Sequence, residues 1–135
     1  MAYWLLKTEP SAYSFADLER DGRAVWDGVT NNAALKHMRS AKKGDEAIVY
    51  HTGDERAAVG LARITGDPHP DPGAADPRIV AFQIEPVRRL SRPVTLAEVK
   101  ADPTFAGFAL VREPRLSVMP VPPALWRRLL ALARM

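Results

Sequence analysis

Glu46-Ala47-Ile48-Val49-Tyr50-His51-Thr52-Gly53-Asp54-Glu55-Arg56-Ala57-Ala58-Val59-Gly60-Leu61-Ala62-Arg63-Ile64 is two apolar runs joined by a short polar one. The runs at 46–51 and 57–64 have strand length, and the polar, Gly-containing segment between them suits a loop joining two paired strands. Strands that follow one another in sequence and lie parallel need a connection of about a dozen residues or more, usually a helix. No helix-forming crossover lies between 46 and 90, so the stretch predicts a curved, mostly antiparallel sheet and not a doubly wound parallel one. Gly60, inside the second run, suggests a bulge or a place where another group approaches the backbone closely.

Working outward, Arg78-Ile79-Val80-Ala81-Phe82-Gln83-Ile84-Glu85-Pro86-Val87 supplies a further strand over 79–87, bent at Pro86, after an exposed Pro-rich loop over 66–77. Tyr3-Trp4-Leu5-Leu6-Lys7-Thr8 is a first strand, ended at Glu9-Pro10 because Pro cannot donate to a ladder. Leu116-Ser117-Val118-Met119 is a last short strand, ended by Pro120. Two capping boxes mark helix starts. Ser14-Phe15-Ala16-Asp17 opens a helix to about Arg20, closed by Asp21-Gly22, and Thr95-Leu96-Ala97-Glu98 opens a shorter one. Pro122-Pro123 primes a third helix, whose Leu125, Trp126, Leu129, Leu130 and Leu132 form an apolar stripe. Residues 103–115 carry mixed signals. The expected fold class is α+β, a compact pseudo-barrel of five or six mostly antiparallel strands with peripheral short helices, in a single domain spanning 1–135.

Composition narrows the classes of function. The 135 residues are 47% hydrophobic, enough for a self-sufficient core, and carry a net charge of +3, which permits a polyanionic partner without demanding one. No apolar run is long enough to span a membrane, and the N-terminal residues lack the pattern of a signal peptide. With no cysteine there is no disulfide, zinc finger or thiol nucleophile. A cytoplasmic monomer is expected.

The stretch Trp26-Asp27-Gly28-Val29-Thr30-Asn31 joins a large aromatic, a carboxylate, a turn-forming Gly and an amide. Apolar residues at 34, 35 and 38 follow with helical spacing, which makes Thr30 or Asn31 the N-cap. Trp26 either walls a pocket beside that helix N-terminus or belongs to the core. No Gly-rich phosphate loop, nucleophile elbow or metal-spaced His pair is present, so neither a cofactor nor a metal is expected. His51, at a strand end before Thr52-Gly53, is either a hydrogen-bonding group at a barrel mouth or a His satisfied by solvent or backbone.

Tyr3-Trp4-Leu5-Leu6-Lys7-Thr8-Glu9-Pro10, Trp26-Asp27-Gly28-Val29-x-Asn31, Tyr50-His51, Gly60-Leu61 and Arg115-Leu116-Ser117-Val118-Met119-Pro120 occur in an order that resembles the EVE domain family. The resemblance covers nearly the whole chain. It implies a PUA-like fold and non-catalytic binding of a modified nucleobase, such as a modified cytosine, in DNA or RNA. Thr30 and Asn32 stand where the family often has Arg and an aromatic, which counts against strong binding to duplex DNA.

Reading a base taken out of its stack needs an aromatic face and directed hydrogen bonds to the base edge. Trp26 is the expected face, with Trp4 or Tyr50 as a second wall. Asn31 and Ser117 are the expected edge readers, and His51 is placed with them in one concave site. Lys7, Arg112 and Arg115 are the candidates for phosphate contacts, which position without specifying sequence. Two alternatives stand beside this reading. One is an enzyme acting on a nucleotide or small base, with His51 as general base and Asp27 or Glu55 as partner. The other is a protein-interaction module using the C-terminal helix or a sheet edge.

Overall fold

The computed structural model describes all 135 residues. Its centre is the expected pair β3 (Glu46–His51) and β4 (Ala57–Ile64), antiparallel and buried along most of their length. On one side β3 pairs with β1 (Tyr3–Thr8), and β1 pairs with β7 (Val118–Pro120). On the other side β4 pairs with β6 (Val80–Thr95), and β6 pairs with β2 (Ala24–Trp26) and with the two-residue β5 (His69–Pro70). The strand order is β2-β6-β4-β3-β1-β7, with β5 pairing β6 outside that path.

Seven strands thus stand where five or six were expected. All pairs are antiparallel except β1 with β3. The additions are β2 and β5, too short to show an alternating pattern. The strand expected over 79–87 runs on to Thr95. Pro86 is tolerated because the register slips there: Leu61 faces Arg88 while Ala62 faces Pro86, which leaves Val87 as an extra residue. A second shift, between Ala58 facing Val94 and Gly60 facing Arg89, bends the strand again. These bulges curl the sheet into an open half-barrel whose edges are β2 and β7.

Gly60 combines both roles expected of it. It sits at a register shift, and a Cβ placed on it would lie 2.3 Å from the Phe15 ring. That ring enters the core at the start of α1 (Phe15–Asp21), which has the expected Ser14–Asp17 capping box and ends on Gly22 at φ +76°. α2 (Asn32–Ser40) turns Ala34, Leu35 and Met38 inward. α3 (Leu96–Ala101) carries the Thr95–Glu98 box. The segment with mixed signals holds a 3-10 turn (Pro103–Phe105) and α4 (Ala109–Arg112), with Phe105 and Phe108 in tilted contact at 5.9 Å. α5 (Pro123–Leu132) buries Trp126 and Leu129, and Trp126 stacks on Tyr3 at 4.5 Å. No helix is long and apolar enough to cross a membrane.

Candidate functional site

A cleft of about 510 Å³ opens where the C-terminal end of β1 meets β2 and the loop from β2 into α2. That volume falls within the usual range for small-ligand sites. Lys7, Thr8 and Glu9 come from the end of β1, Trp26 from β2, Asp27 through Asn31 from the loop, Tyr13 from just before α1, and Ser117 from just before β7. β1 and β7 are neighbours, and the Lys7 backbone N–H donates to the Ser117 carbonyl at 2.9 Å, which sets Ser117 beside Lys7.

The loop follows from its sequence. Gly28 turns the chain at φ +73°, a conformation open to Gly and strained for a side chain with Cβ. Asn31 is the N-cap of α2, its Oδ1 accepting from the Ala34 N–H at 3.0 Å. Its amide nitrogen keeps its donors for a ligand, because capping uses only the oxygen. Trp26 is 9% exposed and lines the cleft, so it is both a core residue and one surface of the cleft.

Tyr13 was not singled out in the sequence. Its backbone is clamped: the N–H donates to the Glu9 carbonyl at 2.9 Å, and the carbonyl accepts from the Thr8 hydroxyl at 2.6 Å. Its phenol donates to Asp21 Oδ2 at 2.8 Å. Partial burial, and then that bond to a carboxylate, push its pKa up to about 12. The signal available was an aromatic directly before a capping box, a position that packs against the helix it precedes.

Charge in the cleft is mixed. Hydrogen bonds from the Ser11 backbone and then its hydroxyl hold the Glu9 carboxyl below its ordinary pKa, so it is ionised at neutral pH. Asp27 adds a second exposed carboxylate. Lys7 is the one cation, and burial lowers its pKa. Carboxylates are suited to accept from an exocyclic amine of a base, and they repel a phosphate.

Of the residues expected in the site, the structure brings Trp26, Asn31, Ser117 and Lys7 to this cleft and leaves the others elsewhere. His51 is the clearest correction. It is buried, its Nε2 accepts from the Phe15 backbone N–H at 3.0 Å, and its Nδ1 meets Glu55 Oε2 at 2.9 Å. A backbone N–H can only donate, so the ring proton sits on Nδ1 and no lone pair remains for proton abstraction. Glu55 does pair with His51, but the pair anchors α1 and does not face the cleft.

Trp4 is also a core residue. It lies roughly 10 Å of strand from Lys7 and donates its indole N–H to the buried Asp45 at 2.9 Å. Tyr50, in register with Lys7, is buried on the far side of that side chain. Arg112 is tied to the Ala106 carbonyl at 2.8 Å and lies outside the cleft lining. Arg115 is exposed, two residues before Ser117. No group of three His, Asp or Glu side chains has metal-binding geometry.

A curled α+β half-barrel with short peripheral helices and a cleft at its strand ends is a PUA-like architecture. Residues 2–132 match the EVE domain, and the chain belongs to that family. Thymocyte nuclear protein 1 of Mus musculus is 31% identical over 153 residues, spanning 88% of this chain and 68% of the relative. A crystal structure of an Agrobacterium tumefaciens protein superposes with a TM-score of 0.95 at 32% identity, covering 98% of this chain and 93% of that one. Human THYN1 protein, solved in complex with DNA containing 5-methylcytosine, superposes with a TM-score of 0.92 at 25% identity, covering 100% and 99%.

Proposed function

We propose that this chain, acting as a single-domain cytoplasmic monomer, binds a modified cytosine-type base of DNA or RNA in the cleft without transforming it. The observation that carries this reading is the lining of the cleft, where two aromatic residues, Trp26 and Tyr13, stand among separate donors and acceptors. The Trp26 face stacks on the base. The Asn31 amide and the Ser117 hydroxyl donate to ring nitrogen and carbonyl acceptors, and Asp27 or Glu9 accepts from the exocyclic amine. Ala24, Val25 and Val29 supply apolar lining for a base substituent. Lys7 and Arg115 contact phosphates.

Support for a binding role comes from human THYN1 protein, which shares the fold and was solved with 5-methylcytosine-containing DNA. Further support comes from the sealed hydrogen bonding of His51, which removes the general base of the enzymatic alternative. The stripe of α5 is spent on the core, which leaves the interaction-module reading without a surface on that helix.

The test is titration of the protein with a panel of modified nucleosides and oligonucleotides, repeated with Trp26→Leu. Leu keeps an apolar side chain at a core position and deletes the π face. Base–aromatic stacking is worth about 1–3 kcal/mol, so affinity is expected to fall roughly 5- to 150-fold. A folded Trp26→Leu protein that binds the whole panel as the parent does would overturn the reading.

A further inference from the structure

On the far side of Lys7 from the cleft lies a second recess of about 260 Å³. Its walls are β1, the end of β3, the 52–56 loop, α3 and the segment from Leu110 to Pro114. Its charged lining consists of Lys7, Arg56 and Lys100, with no carboxylate. None of the three belongs to an ion pair; the pairs of this fold use other cations.

Lys7 is half-buried. Its Nζ donates to the Pro114 carbonyl at 3.0 Å and lies 5.8 Å from the centre of the Tyr50 ring, so it still has donors to offer. Arg56 is held at φ +43°, a conformation uncommon for a residue with a Cβ. Its carbonyl accepts from the Leu96 N–H at 2.8 Å, which ties the loop to the start of α3 and sets Arg56 and Lys100 on one recess. The acidic side chains of the same loop, Asp54 and Glu55, line an adjoining hollow with Arg56 and Lys100, and Glu55 is held by His51 at 2.9 Å. Three like charges around one concavity repel one another, and an anion between them removes that repulsion.

The kind of anion follows from the position of Lys7, which lines both the cleft and the recess. Glu9 and Asp27 make the cleft unfavourable for a phosphate, so a strand whose base enters the cleft passes its backbone over Lys7 to the cationic side. We propose that the Lys7–Arg56–Lys100 recess binds the phosphodiester flanking the nucleotide held in the cleft, which presupposes the nucleobase reading of that cleft. The recess is thereby a second, sequence-independent contact that converts weak base binding into binding of a polynucleotide.

The double variant Arg56→Asn with Lys100→Gln tests this, since Asn suits positive φ better than Arg and both changes lie outside the cleft lining. Parent and variant are titrated with a short single-stranded oligonucleotide carrying one 5-methylcytosine, with its unmethylated counterpart, and with 5-methyl-2′-deoxycytidine, which has no phosphate and reports the cleft alone. The recess neutralises one phosphodiester, and losing one phosphate contact to a single strand lowers the slope of log affinity against log salt by about 0.7, so the variant slope is expected to be shallower by about 0.7. Between about 50 and about 200 mM salt the parent then loses roughly 2.6-fold more affinity than the variant. An unchanged slope overturns the proposal, and so does a parent that binds no oligonucleotide. A slope that flattens while neither protein distinguishes the methylated strand keeps the recess and removes the nucleobase reading. Methyl-selective binding with an unchanged slope does the reverse.

Discussion

Tyr13 and His51 show how much one side chain's surroundings decide its role. Tyr13 is held neutral by partial burial and by donating to Asp21, with its pKa raised from 10.0 to about 12. The neutral phenol is the form the fold favours. Between pH 10 and 12 the unfolded chain gives up this proton while the native protein keeps it, so the Tyr13 contribution to stability is complete below pH 10 and declines as pH rises through the window. Lys7 acts in the opposite sense: its lowered pKa lets the native state release a proton first, which adds stability as pH rises. Comparing denaturant midpoints of the parent and Tyr13→Phe across that range separates the two. The parent is expected to lose more stability with rising pH than the variant, by the order of 1 kcal/mol or less after solvent screening. Equal pH dependence would show that Tyr13 is not held as described.

At the scale of elements, the contact between β4 and α1 joins the sheet to the cleft. The Phe15 ring lies over Gly60, the Phe15 N–H donates to His51 on β3, and Tyr13 stands two residues before Phe15. An Ala at position 60 would place its Cβ 2.3 Å from a fully buried ring, so the ring and the start of α1 must shift. Gly60→Ala is expected to destabilise the fold by about 1–3 kcal/mol or more, as overpacked core positions do. It should also weaken ligand binding through the displacement of Tyr13, a wall of the cleft. Urea unfolding and a nucleoside titration of the same preparation check both effects. A fully stable Gly60→Ala protein would mean that the ring moves at little cost.

For the molecule as a whole, the strand order β2-β6-β4-β3-β1-β7 puts the most enclosed strands in the middle and the cleft toward the edges. β3 and β4 are paired on both sides, whereas the three-residue β2 has one partner and β5 is two exposed residues. Amide hydrogen exchange is therefore expected to be slowest at Ile48, Val49 and Leu5 and to be faster at Ala24, Val25 and His69. Binding a nucleoside should slow exchange across Trp26–Asn31, because that segment lines the cleft, and should leave β3 unchanged. Protection confined to some other face would place the ligand elsewhere.

What the sequence alone determined is what depends on near neighbours. The hairpin from Glu46 to Ile64, both capping boxes, the narrowing of the α2 cap to Thr30 or Asn31 and the buried stripe of α5 are set by spacing and by side chains that reach only a few residues along the chain. Gly60 was legible for the same reason, since a residue without Cβ inside an apolar strand implies that something else occupies the space. The ordered family signature extended this to the PUA-like class. Tertiary structure decided the rest. β2 and β5 are strands because β6 offers them a ladder, and three or two residues are too few to show a period. Continuation of β6 past Pro86 depends on bulges opposite Ala62 and Gly60, a property of the pair and not of either strand. The same bulges curl the sheet and so choose which strand-end side chains share a cavity. They bring Tyr13 and Ser117 beside Trp26 and send His51 to the underside of α1. Spacing along one strand sets which face a side chain takes, but only the curvature of the whole sheet sets what that face meets.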